Sequence, residues 1–146
     1  MKVQNSMRLE FPSRSVNENF ARAAVACFAS QLDPTLSELG DLKTVVSEAV
    51  TNCIVHAYPD SIGEITLRAR ILENNTLEVS IRDHGCGIPD IDEARKPLFT
   101  TGGEERSGMG FTIMESFTDS MRVRSRPGHG TAVTMRKRFS AKGGEK

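Results

Sequence analysis

The stretch from Ser47 to His56 constrains the fold of this chain more than any other part of the sequence. Polar side chains recur there at every fourth residue, which places Glu48, Asn52 and His56 on one face of a helix. The apolar residues of the same region face the other way, as they do where a helix packs on a sheet. These residues are Val45, Val46, Ala49, Val50, Cys53 and Ile54. The pattern predicts an amphipathic helix whose polar face is either an ordinary solvated stripe or part of a site.

The polar face has the chemistry of a magnesium–nucleotide site. The amide oxygen of Asn52 is a hard, neutral ligand for Mg²⁺, and the carboxylate of Glu48 can position or deprotonate an attacking hydroxyl. His56 either lines the same site or makes a structural hydrogen bond at the end of the helix. The other two histidines, His84 and His129, are expected in solvated loops.

A length of 146 residues predicts a single domain over residues 1–146. The chain has 19 basic and 19 acidic residues, so it carries no electrostatic footprint for nucleic acid or a membrane surface. No apolar run is long enough for a transmembrane helix. The three cysteines lack metal spacing, and Cys27 and Cys53 are expected to be small core residues. We therefore expect a cytoplasmic protein with no membrane or direct nucleic-acid partner.

Local patterns predict an α/β protein. Thr35 and Glu38 form a capping-box signature for the helix that continues to about Ala57, and Ser15 or Asn17 is expected to cap the preceding helix. Alternating apolar residues predict strands and helical spacing predicts helices in the remaining segments. The strands are expected at 7–11, 65–71, 77–81, 121–125 and 132–135, and the helices at 20–32, near 91–95 and after 110. A frayed tail is expected at about 140–146.

Two glycine motifs follow the helix. Asp83 ends a predicted strand and is followed by Gly85 and Gly87; a carboxylate there can accept a hydrogen bond from an exocyclic amine such as adenine N6, and the glycines let the backbone approach a flat ring. A plain surface turn explains the same residues. Segment 106–111 exposes backbone N–H groups before a helix, which suits phosphate oxygens. Residues 96–108 are interpreted as a lid, or alternatively as a surface loop.

The order of these motifs is more specific than any one of them. A helix with Glu-x-x-x-Asn, a strand ending in Asp-x-Gly-x-Gly and a glycine lid with Gly-x-Gly resemble the ATP-binding superfamily of gyrase, the large heat-shock chaperone, mismatch-repair ATPases and histidine kinases. Segments 20–22, 44–52, 88–91, 97–101 and 106–115 look like those of the small serine kinases that act as anti-sigma factors. The resemblance implies the histidine-kinase-like (Bergerat) fold, an α+β two-layer sandwich with helices on one face of a mixed, mostly antiparallel sheet.

The resemblance also implies ATP or ADP and Mg²⁺ as ligands and assigns roles to single residues. Glu48 matches the general base, Asn52 the magnesium ligand and Asp83 the adenine-binding carboxylate. Arg22 corresponds to a surface arginine that holds both protein partners. The other positions implied to bind nucleotide are Gly85, Gly87, Thr100, Thr101, Arg106, Ser107, Gly108, Met109, Gly110, Phe111 and Thr131.

The activity implied by the resemblance is that of a serine protein kinase. It would phosphorylate a serine of an anti-anti-sigma factor and, as a homodimer, hold a sporulation sigma factor of the sigma-F type away from RNA polymerase. A kinase of another regulon such as the general-stress sigma-B type, a nucleotide-gated sequestering protein without kinase activity, and a stand-alone histidine-kinase module remain alternatives. The chain departs from the close family at two points. One is His84, and the other is a slightly shorter lid that contains Gly102-Gly103. Both departures bear on the geometry of the lid and on the affinity for nucleotide.

Overall fold

A five-stranded sheet with helices packed on one face forms the core of the protein, which confirms the predicted two-layer architecture. The computed structural model describes residues 2–95 and 110–140. The strands are β1 (Val3–Pro12), β2 (Glu64–Leu72), β3 (Thr76–Asp83), β4 (Ser120–Arg126) and β5 (Gly130–Arg138). The helices are α1 (Val16–Ala29), α2 (Leu36–Asn52), α3 (Ile91–Arg95) and α4 (Phe111–Ser116). The predicted lid at 96–108 and residues 141–146 of the predicted tail lie outside the described residues.

The sheet has the strand order β1-β2-β3-β5-β4, and each strand pair within the described residues is antiparallel. The turn between β2 and β3 holds Asn74 and Asn75 at φ of 61° and 56°, a left-handed conformation that Asn tolerates better than most residues. The strands predicted at 65–71 and 77–81 are thus joined by a tight turn and pair in antiparallel fashion. Because β5 lies between β3 and β4, it brings Thr131 beside Asp83 at the end of β3.

Helix α2 begins as predicted but ends differently. Its capping box is complete: the Glu38 N–H donates to Thr35 Oγ1 at 3.1 Å, and the Thr35 N–H donates to Glu38 Oε1 at 2.9 Å. α-Helical geometry stops at Asn52, and a π-helical turn covers Cys53–Ala57. The wider turn shifts His56 away from the row that an unbroken α-helix would give it. Ser15 occupies the N-cap position before α1, but its side chain makes no capping hydrogen bond.

The core lies between the sheet and the pair α1 and α2. Cys53 is buried there, as predicted, but the prediction that Cys27 is a core residue is wrong because Cys27 is exposed. The face of α1 that packs inward runs through Ala21, Val25 and Ala29, and Cys27 lies off that row. In the described part of the chain, no helix is both long and apolar enough to cross a membrane.

Candidate functional site

A cleft opens where the C-terminal part of α2 meets the ends of β3 and the start of β5. It holds about 360 Å³ of empty space, part of which is open solvent. Its walls are formed by residues from five segments of the chain. They are Ala49, Asn52, Cys53, His56, Ala57, Ile81, Asp83, Gly87, Ile88, Phe111, Thr131 and Val133. The fold therefore brings together Asn52, Asp83, Gly87, Phe111 and Thr131, five of the positions that the resemblance implies, and their role in binding nucleotide stays a prediction.

Asp83 is a buried carboxylate at the wall of this cleft, with 6% of the residue exposed. Its Oδ1 accepts the backbone N–H of Gly85 at 2.9 Å and that of Thr131 at 3.2 Å. Its Oδ2 accepts the thiol of Cys53 at a sulfur–oxygen distance of 3.6 Å. The two oxygens thus have different partners, and the carboxylate is held from β5, from its own loop and from the end of α2. Such an anchored acceptor can recognise an amine on a flat base.

The loop after Asp83 runs so close to its neighbours that only glycine fits at two positions. A Cβ on Gly85 would lie 2.2 Å from the backbone oxygen of Ala57. Gly87 has φ of +81°, and a Cβ there would lie 2.4 Å from the backbone oxygen of Arg126. The Cys86 N–H donates to the Ala57 oxygen at 3.1 Å, so the loop is fastened directly to the end of the π-helical turn. The predicted base-binding loop is therefore packed against the cleft wall.

Glu48 lies beside the start of α4. A Cβ placed on Gly110 would lie 2.1 Å from Oε1 of Glu48, so the carboxylate packs against the backbone at which α4 begins. Within residues 2–95 and 110–140, no hydrogen bond or ion pair holds the carboxylate of Glu48. Burial, and then the charge of Glu18, raise the pKa of Glu48. A half-buried carboxylate with a raised pKa has the properties of a proton acceptor.

Asn52 and His56 line the cleft together. Asn52 is half-buried at the last α-helical position of α2, and its amide can supply an oxygen ligand. Burial lowers the pKa of His56, which favours the neutral ring. The structure thus supports the view that His56 contributes to the wall, whereas His84 and His129 are exposed as predicted.

Arg22 is a residue of α1 whose partly exposed side chain reaches α2. Its guanidinium donates to Glu18 at 3.3 Å, to Ser47 Oγ at 3.0 Å and to Asn19. The side chain therefore connects the first turns of α1 to the residue that precedes Glu48. Its predicted role in holding partners stays a prediction, but it is a tethered arginine and not a freely mobile one.

Several predicted residues lie outside the described part of the chain: Thr100, Thr101, Arg106, Ser107, Gly108 and Met109. The sequence interpretation missed two contributors. Cys53 was expected only as packing, yet its thiol reaches Asp83. Ser125 accepts the Ile88 N–H at 2.6 Å and shares a hydrogen bond with the Thr131 hydroxyl at 2.9 Å. The Cys53–Asp83 and Ser125–Ile88 contacts join residues 30 and 37 positions apart, so no local spacing connects them, whereas Ser125 and Thr131 face each other across the β4–β5 hairpin.

The donor set fits Mg²⁺ bound together with phosphates. Among the described residues, no three His, Cys, Asp or Glu side chains form a group that could hold a metal ion. Mg²⁺ takes few ligands from the protein when water and phosphate oxygens fill its other positions, so an amide oxygen such as that of Asn52 suits it. The thiol of Cys53 does not compete as a ligand, because burial and the neighbouring charge of Asp83 raise its pKa and keep it protonated.

Comparison with known proteins finds similar sequences along most of the chain. A family model described as a histidine kinase-like ATPase domain matches residues 11–137. The chain is 56% identical over 138 residues to an anti-sigma F factor of Caldanaerobacter subterraneus, which covers 94% of this chain and 96% of that protein. It is 52% identical over 141 residues to an anti-sigma F factor of Geobacillus stearothermophilus, with 96% and 97% covered.

Solved structures share the fold at low sequence identity. The RsbU and RsbW domains of Rv1364c from Mycobacterium tuberculosis match with a TM-score of 0.69 and 17% identity, over 93% of this chain and 32% of that one. The histidine kinase domain of the blue-light activated kinase EL346 from Erythrobacter litoralis matches with a TM-score of 0.58 and 21% identity, over 84% and 61%. At these identities the similarity concerns the fold alone.

Proposed function

Because the chain belongs to the histidine kinase-like ATPases and, within them, to the anti-sigma F factors, we propose that it is a nucleotide-dependent serine kinase of this class. It binds Mg-ATP in the cleft, phosphorylates a serine of an anti-anti-sigma factor, and as a homodimer sequesters a sigma factor of the sigma-F type. Residues 1–146 act as one domain. The observation that supports this best is the anchored, buried carboxylate of Asp83 at the wall of a cleft that Asn52 also lines.

The roles of the residues follow from their positions. Asp83 accepts a hydrogen bond from the exocyclic amine of adenine. The tightly packed loop at Gly85 and Gly87 lets the base approach the backbone. Asn52 would hold Mg²⁺, which when bound neutralises charge on the phosphates. Residues 96–108 would close over the phosphates, with Arg106 adding charge-assisted hydrogen bonds.

Phosphoryl transfer depends mainly on how the protein positions the reacting groups. Glu48 orients the serine hydroxyl and accepts its proton as the new P–O bond forms, while the bond to the β-phosphate oxygen breaks and ADP leaves. The half-buried position and raised pKa of Glu48 support this role. The phosphate adds nearly two negative charges to the partner, which weakens its rebinding. Arg22, on the same side of α2 as Ser47, would contact the partners.

The proposal is tested by incubating the purified chain with γ-labelled ATP, Mg²⁺ and a panel of anti-anti-sigma proteins. The expected result is acid-stable label on a serine of one of them, and the labelled partner should bind the chain more weakly than the unlabelled partner. Glu48→Gln should lower the rate of labelling by roughly two to four orders of magnitude, while Glu73→Gln, a change of the same kind in the exposed turn after β2, should not. Acid-labile label would instead indicate a histidine kinase, and a nucleotide-dependent complex without label a sequestering protein. Labelling only of a general-stress partner would assign the other regulon.

A further inference from the structure

The contact between Cys53 and Asp83 connects the end of α2 to the proposed base-binding carboxylate. Cys53 is 3% exposed, and its sulfur lies 3.6 Å from Oδ2 of Asp83. Within the described residues, this thiol is the one hydrogen-bond donor to that oxygen, because the two backbone donors, Gly85 and Thr131, both reach Oδ1. Both side chains line the cleft, so the contact lies in its wall.

The division of partners between the two oxygens has a chemical consequence. Two backbone N–H groups, at 2.9 and 3.2 Å from Oδ1, limit the rotation of the carboxylate, but hydrogen bonds tolerate a range of angles. A donor on Oδ2 narrows the remaining range of carboxylate orientations. A thiol is a weak donor, so it holds Oδ2 without using up the acceptor strength that a ligand needs. A carboxylate oxygen has room for a second donor, and an amine on a bound base can supply it.

We propose that Cys53 is a positioning residue that orients Asp83 toward the exocyclic amine of the nucleobase and thereby sets the preference for adenine. This inference rests on the proposed nucleotide function. A base that carries a carbonyl in place of the amine, such as hypoxanthine, directs an acceptor at the carboxylate and gains nothing from its orientation. Cys53 therefore affects the binding of ATP and leaves that of ITP unchanged.

A series of variants separates orientation from packing. Cys53→Ala removes both the donor and volume, Cys53→Val fills the space without donating, and Cys53→Ser restores a donor. Cys27→Ala is the matched control, because Cys27 is a free, exposed cysteine on α1. Binding of Mg-ATP and Mg-ITP to the full chain is measured by calorimetry, and circular dichroism verifies that each variant is folded.

The expected result is that Cys53→Ala and Cys53→Val bind ATP roughly two- to twelve-fold more weakly, the scale of one net hydrogen bond, with ITP unchanged. Cys53→Ser should keep the ATP preference of the unmodified chain, as should Cys27→Ala. A purely structural role predicts that Val retains affinity, that Ala loses it, and that both nucleotides weaken together; either this pattern or an unchanged ATP-to-ITP ratio would overturn the inference. If the unmodified chain bound neither nucleotide, the proposed function itself would fail.

Discussion

Replacing Asp83 by Asn is the sharpest test of the proposed base-binding carboxylate, because the structure indicates which way the new amide will point. The two backbone N–H groups of Gly85 and Thr131 require an acceptor at the position of Oδ1. The carbonyl oxygen of the Asn side chain will take that position, so its NH₂ group replaces Oδ2. There it faces the Cys53 thiol and the amine of a bound adenine, so three hydrogen-bond donors face one another without an acceptor.

The magnitude follows from the lost interaction. A hydrogen bond to a charged acceptor contributes about 1.5–3 kcal/mol, so Asp83→Asn should weaken ATP binding roughly 10- to 150-fold. Binding of ITP should not fall, because its carbonyl can accept from the new NH₂ group. Since the site is 6% exposed, thermal unfolding is followed in parallel to verify that the variant is folded.

Calorimetry with Mg-ATP and Mg-ITP makes the measurement, and Asp60→Asn serves as control because Asp60 is exposed in the turn before β2. If Asp83→Asn binds ATP as tightly as the unmodified chain, or loses ATP and ITP equally, Asp83 does not read the base amine and the reasoning is refuted.

Four further predictions concern the neighbouring residues. Glu48→Gln should lower phosphoryl transfer by roughly two to four orders of magnitude with ATP affinity retained, and normal label transfer would remove Glu48 from the mechanism. Burial and then Glu18 raise the pKa of Glu48, and the base must be ionised to act, so transfer is lost as the pH falls through that raised pKa. Glu18→Gln should lower this pKa and move the acid limb of the pH–rate profile to lower pH; an unmoved limb would contradict the coupling. Arg22→Ala should spare ATP binding but shorten the lifetime of partner complexes in surface plasmon resonance, and unaltered dissociation would argue against a contact role. Gly87 has φ of +81°, and a new Cβ there would lie 2.4 Å from a carbonyl oxygen, so Gly87→Ala should lower the free energy of unfolding by about 1–3 kcal/mol in denaturant unfolding. Gly40→Ala in α2 should instead stabilise the fold, because a Cβ there meets nothing within 4 Å.

Signals that act within a few residues were sufficient to predict much of the fold. The capping box at Thr35 and Glu38 and the Asn turn between β2 and β3 depend on side chains next to the backbone they serve. The position of Asp83 at the end of a strand also follows from local alternation. These features could be predicted because no distant segment decides them.

Most of what the sequence could not predict depends on distant segments. The Cys53–Asp83 contact joins residues 30 positions apart, and the Thr131–Asp83 hydrogen bond joins residues 48 apart. Both exist because α2 packs over β3 and because β5 enters beside it. The π-helical turn after Asn52 is another example, since its residues have no local signal that distinguishes them from an α-helix.

The position of β5 in the sheet also bears on how the protein is made. Although β5 is the last of the five strands along the described part of the chain, it lies between β3 and β4, and its Thr131 supplies one of the two backbone donors to Asp83. A nascent chain that ends before β5 therefore has an incomplete sheet with an unpaired edge on β3, and the carboxylate has lost one of its anchors. The wall of the cleft at Asp83 is thus complete only after β5 has inserted between β3 and β4.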